Sequence, residues 1–115
     1  MRLKSVLYKK EQDEILQKII NILDLDDENS ITLHELDTNK EKQQLILNLI
    51  PDICKYFTTK NIIGAKEPEN CKRPYLSIIK HLAKLKYNMY HSDWRIRIDN
   101  EKEKIRTKKY IFIKK

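Results

Sequence analysis

A single glycine, Gly64, stands in this chain of 115 residues. A Gly-rich phosphate loop or a G-x-S-x-G nucleophile elbow needs several glycines in a short span, so both are excluded. Cysteine is almost as scarce. Cys54 and Cys71 are 17 residues apart, and His81 and His91 follow at intervals of 10, whereas a zinc site needs closely spaced ligand pairs. The two cysteines read as reduced thiols, at least one of them buried. No apolar run approaches the roughly 18 residues of a membrane span, and the first residues lack the apolar stretch of a secretory signal. A soluble, intracellular protein is expected. His34, His81 and His91 have no evident catalytic partners, and the only acidic cluster lies within residues 24–28. No reaction is indicated, so a protein that is not an enzyme is expected, with no metal or cofactor.

What the chain has in abundance is charge, unevenly distributed. From Cys71 onward it carries 14 Lys/Arg against 4 Asp/Glu, while the first 70 residues carry 10 against 13. The formal net charge of +7 therefore comes entirely from the later part. Such asymmetry points to a polyanionic partner, nucleic acid before an anionic membrane. At 115 residues one domain is expected, large enough for an ordinary core.

Residues 1–10 read as a short strand, an arm or an early helical turn. From Glu11, the apolar residues Ile15, Leu16, Ile19, Ile20 and Leu23 recur at helical spacing, with Glu11, Asp13 and Glu14 in the expected first turn. The spacing predicts a helix over 11–24. Thr38-Asn-Lys-Glu41 fits a capping box, and Leu45, Ile46, Leu49, Ile50 and Ile53 continue the stripe. Pro51 either kinks this second helix or restarts it, and Cys54, Tyr56 and Phe57 extend the core to about residue 57. Residues 58–71 form a connector, with Ile62 and Ile63 tucked onto the core. Pro74 suits the start of a third helix over 73–87, with Leu76, Ile79, Leu82 and Ala83 inward, helped by Tyr75, Ile78 and Leu85. Its outward face carries Ser77, Lys80, His81, Lys84 and Asn88. The period then changes to two: Trp94, Ile96 and Ile98 face opposite Arg95 and Arg97, and Ile105, Ile111 and Ile113 share a parity, around a turn at 99–104.

Asp24 to Glu35 resembles an EF-hand calcium loop in its acidic residues at loop positions 1, 3 and 5 (Asp24, Asp26, Glu28), Ile31 at 8 and Glu35 at 12. Position 6 is Asn29 where that loop prefers glycine, and no second such loop pairs with it. The residues favour an acidic, helix-ending loop followed by a short strand at 30–33.

The fold class expected is α+β: three helices, a C-terminal hairpin and a short third strand. In this order of elements the chain resembles a winged helix-turn-helix domain over most of its length. The resemblance implies duplex DNA binding, with a recognition helix over 73–87 offering Ser77, Lys80, His81 and Lys84. It also implies a basic wing over 95–109 bearing Arg95, Arg97, Lys102, Lys104, Arg106, Lys108 and Lys109. The 14-residue connector is longer than the short turn usual in that family. Cys71-Lys-Arg-Pro-Tyr-Leu-Ser-Ile-Ile-Lys80 and the closing Ile-Arg-Thr-Lys-Lys-Tyr also look like small proteins of large nucleocytoplasmic DNA viruses, which implies a viral protein from an AT-rich genome. Independently of either resemblance, Lys72 and Arg73 oppose the helix dipole at an uncapped helix start, an oddity that a bound phosphate would remove. Trp94 reads as a core anchor. Tyr75, Tyr87 and Tyr90 raise the alternative of single-stranded nucleic acid or RNA, with core packing expected for two of the three. A module that docks on an acidic protein partner is the other alternative.

Overall fold

The computed structural model describes residues 3–58, 62, 71–91, 95–99 and 103–115, with side chains at 7–58, 62, 71–91 and 107–115. The chain is α+β. Helix α1 spans Leu3–Leu23, starting well before the expected Glu11. Residues 3–10 contain neither glycine nor proline and include good helix formers, and the Tyr8 ring packs edge-on against Tyr56 with centroids 5.5 Å apart. Glu11, Asp13 and Glu14 therefore lie in mid-helix rather than in the first turn. Ile15, Leu16, Ile19 and Leu23 are buried along one stripe, as their spacing predicts.

Asp24, at φ 48°, takes the left-handed conformation that ends α1, and Asn29 repeats it at φ 57°. Asx residues tolerate this region better than most. The Asp26 carboxylate closes the loop between them, accepting from the amides of Glu28 (2.9 Å) and Ser30 (3.0 Å) and from the Ser30 hydroxyl. Strand β1 follows at Ser30–Thr32. Thr32 then caps helix α2, Leu33–Thr38, by accepting from the Glu35 amide. The expected cap at Thr38 is displaced by one residue: Asn39 caps helix α3, Lys40–Leu47, and Thr38 instead donates to the His34 carbonyl. Lys42 Nζ reaches the Leu23 carbonyl at the end of α1, where a cation suits the dipole.

Helix α4, Ile50–Tyr56, begins anew with Pro51 in its first turn, where the missing amide has no helical partner. Ile46 and Ile53 are buried, but Leu45 and Cys54 point outward and Cys71 is half-buried, so neither thiol belongs to the core. Ile62 joins the core, whereas Ile63 lies outside the described residues.

Helix α5, Pro74–Lys86, leads directly into strand β2, Tyr87–His91. This strand, where the sequence predicts no element beyond the end of the helix at 87, pairs antiparallel with β5, Lys109–Lys114, in a sheet of order β1–β5–β2. Strands β3, Arg95–Asp99, and β4, Glu103–Thr107, form a separate two-stranded ladder. The helices cover one face of the sheet, where Ile31, Tyr110 and Phe112 are buried and Tyr87 and Met89 half-buried against the core. The aromatic parity of β5 is thus the inward one, and Ile113 is exposed. The β3–β4 ladder makes only marginal contact with other elements. The molecule measures 61 × 31 × 22 Å, with a radius of gyration of 15.6 Å against roughly 13 Å for a compact chain of this length.

Candidate nucleic-acid interface

Helix α5 buries Tyr75, Leu76, Ile78, Ile79, Leu82 and Ala83, which leaves only a narrow ridge outside the core. On that ridge Ser77 is half-buried, its hydroxyl 3.8 Å from Cys71 Sγ. Lys80 is half-buried with its ammonium 5.5 Å from the centroid of the Tyr110 ring, a cation–π distance. His81 is half-buried edge-on to Phe57, at 6.0 Å, and burial, with Lys84 beside it, pushes its pKa below the usual histidine value. Lys84 alone of the four is exposed. The ridge therefore carries one exposed cation and three side chains engaged with their own protein.

At the start of α5, Lys72 and Arg73 are exposed and no side chain caps the helix. One of the two cations has an anion within the chain. The Asp37 carboxylate, in the last turn of α2, lies 3.2 Å from the Arg73 guanidinium and accepts from the Tyr75 hydroxyl at 2.5 Å. Burial, then the bond to Asp37, pushes the Tyr75 phenol up to about 12. Lys72 has no such partner among the described residues.

The wing residues divide three ways. Lys109 is buried to 9% exposure and paired with Glu28, and Lys108 is half-buried with its carbonyl accepting the Leu33 amide at 2.8 Å. Lys102, like Trp94, lies outside the described residues. Arg95, Arg97, Lys104 and Arg106 all belong to the β3–β4 ladder, where Arg97 stands opposite Ile105 and Ile96 opposite Arg106. Successive strand positions alternate between two faces, so 95 and 97 share a face with 105 and 107, while 104 and 106 share the other with 96 and 98. Cationic positions thus occur on both faces of the ribbon. At its tip Asp99 stands opposite Glu103, a like-charge pairing that places the basic character on the stem.

Of the three tyrosines weighed as stacking platforms, Tyr75 is buried and Tyr87 half-buried against Phe112, with ring centroids 6.4 Å apart. Tyr90 is 47% exposed on the sheet face turned away from the helices, opposite Ile111. In the acidic loop, hydrogen bonds from Ser30 and Glu28 hold the Asp26 pKa below the usual carboxylate range. Among the described residues no three His, Cys, Asp or Glu converge as metal ligands, and no helix is long and apolar enough to cross a membrane. Compared with protein-family models, curated proteins and solved structures, the chain has no match.

Proposed function

We propose that this protein binds nucleic acid, duplex DNA foremost, with the β3–β4 ribbon as its principal contact. The observation that carries the reading is the ribbon: a two-stranded ladder standing off the body, with Arg95, Arg97, Lys104 and Arg106 on its stem. Five-residue strands span roughly 17 Å. A two-stranded ribbon fits a major groove, whose two walls are both phosphate backbone, and cations on both ribbon faces suit that position. The sheet order β1–β5–β2, with α5 running straight into β2, supports a winged-helix-like reading in which the ribbon is the wing. In this reading α5 is mainly structural: Lys84 and Lys72 add phosphate contacts, while Ser77, Lys80 and His81 serve the core.

Phosphate contacts confer affinity without sequence information. About six of them give a log–log salt slope of roughly −5, about a thousandfold loss of affinity between 50 and 200 mM salt. The test is a titration of labelled duplex against a variant with Arg95, Arg97, Lys104 and Arg106 all replaced by alanine. The slope is expected to flatten by about 4. Unchanged affinity in that variant would overturn the proposal. Exposed Tyr90 favours a second reading, in which an unpaired base stacks on the outer sheet face. Side-by-side titration of duplex DNA, single-stranded DNA and RNA, with Tyr90→Ala in each arm, separates the two.

A further inference from the structure

Away from the ribbon, at the other end of the β2–β5 ladder, a hollow of about 710 Å³ opens between α1 and the last turn of α5. Tyr8, Leu16 and Leu85 give it an apolar floor, and Lys9, Lys86 and Lys115 stand around it, with Asp13 the one opposing charge. We infer that it docks a short acidic segment of a partner protein, one that seats a large apolar side chain in the hollow and sets carboxylates against the lysines.

Three observations support this occupant. First, large apolar side chains are exposed at the hollow. Leu85 is 53% exposed and Tyr8 41%, and Leu7, beside Tyr8 on α1, is 51% exposed. An exposed apolar patch bordered by charge marks an interaction site more often than a single exposed leucine does. Second, the lysines are uncompensated. Among the described residues none of Lys9, Lys86 and Lys115 has a carboxylate within ion-pair distance, although Asp52 and Asp37 each hold a cation elsewhere. Backbone pairing continues one step past β5, with the Lys115 amide donating to the Lys86 carbonyl at 3.4 Å, and this brings two of the three cations together. Third, the hollow is elongated. A second depression of about 500 Å³ shares Lys9, Asp13 and Lys86 and runs on along α1 past Lys10 and Glu14, so the cations dominate in the first hollow and the carboxylates of the segment belong there. An extended, concave surface with an apolar floor suits a peptide. Phosphate backbone has no use for Leu16 and Leu85, and a membrane surface would favour a convex patch.

This inference does not depend on the nucleic-acid proposal, because its residues lie outside the ribbon and outside the α5 ridge. The experiment is to pan a random 12-residue peptide library against the full chain, then titrate the best binder as a fluorescent synthetic peptide. Enriched sequences are expected to combine Asp or Glu with Leu, Phe or Trp. Leu85→Glu and Lys9→Glu, each checked by a thermal melt, should weaken the peptide at least tenfold and leave duplex affinity unchanged. Absence of enrichment, enrichment of basic or uncharged peptides, or equal binding to both variants would each overturn the inference. So would a protein that ignores the peptides and binds phosphatidylserine vesicles in a Leu85-dependent way, which would assign the surface to a membrane.

Discussion

The Arg73 guanidinium lies 3.2 Å from the Asp37 carboxylate, which ties the start of α5 to the last turn of α2. A cation at a helix N-terminus is unfavourable alone, but the same carboxylate also accepts from the Tyr75 hydroxyl in the first turn of α5. One acidic side chain thus offsets the misplaced charge and satisfies a buried phenol.

Removing Asp37 should cost more than removing Arg73. Asp37→Ala strands the buried Tyr75 hydroxyl, a loss of about 1–3 kcal/mol. Arg73→Ala breaks a half-exposed ion pair, worth at most about 1 kcal/mol. Urea titration of both variants measures the order. Arg73→Ala should also leave duplex affinity within about twofold, since the guanidinium is already committed. A drop as large as that of Lys84→Ala would mean that Arg73 turns from Asp37 to phosphate.

Tyr75 also makes an alkaline prediction. Its folded pKa is raised to about 12, as is that of Tyr56, whose hydroxyl is held first by a hydrogen bond to Glu11. The unfolded chain loses these protons near pH 10 and the native chain keeps them, so the stabilisation is complete below pH 10 and lost as pH rises through about 12. Ultraviolet titration should show phenols that ionise only as pH approaches about 12. Tyr75→Phe should shift the alkaline limit of stability upward relative to its own neutral value.

The helices were legible wherever period and punctuation agreed. Ile15, Leu16, Ile19 and Leu23 marked α1, Pro51 marked a kink or a restart and Pro74 marked the start of α5. Strand β2 was not legible, because Tyr-Asn-Met-Tyr-His does not alternate and owes its conformation to pairing with β5. Alternation in β5 showed which residues share a face but not which face the helices cover, and Tyr110 and Phe112 rather than Ile111 and Ile113 turned out to be inside. For the candidate site, the positions of the cations could be read directly, but their engagement could not. Arg73 and Lys109 are matched by Asp37 and Glu28, carboxylates brought in from distant parts of the chain. Lys80 is drawn onto a ring of β5.

Lys80 and Lys84, one helical turn apart, should therefore behave differently. Lys80→Ala loses the contact with Tyr110 and should lower stability by about 0.5–1 kcal/mol, with little change in duplex affinity. Lys84→Gln should cost only about 0.3 kcal/mol, the lower end of a helix-dipole contribution at an exposed site, and should weaken duplex binding. The reverse pattern would restore α5 as the principal binding element.

His81 gives an acid-side test. Burial lowers its folded pKa below 6.5, so the unfolded chain takes up a proton first as pH falls. The stabilisation is fully present above about pH 6.5 and is lost as pH falls through the depressed folded value. His81→Gln should flatten this limb of the stability profile. Because the imidazole is neutral at pH 7, ribbon-centred binding predicts a duplex affinity nearly constant between about pH 6.5 and 8. A steep rise in affinity on acidification that disappears in His81→Gln would place phosphate against α5.

Lys109 and Glu28 form a lopsided pair: the lysine side chain is 11% exposed and the glutamate 65%. What matters on mutation is the group left behind. Lys109→Met leaves a glutamate that water can solvate and keeps an aliphatic chain packed in the sheet, so the expected cost is below about 1 kcal/mol. Glu28→Ala leaves an ammonium in a largely buried position, and the expected cost is about 2 kcal/mol, because a desolvated charge without its partner is penalised more than a lost surface contact. Chemical denaturation of the two variants checks the order, and equal costs would mean that the Lys109 ammonium reaches solvent once released. Lys109→Met should not change the salt slope of duplex binding, since a lysine neutralised by Glu28 displaces no counterion from DNA.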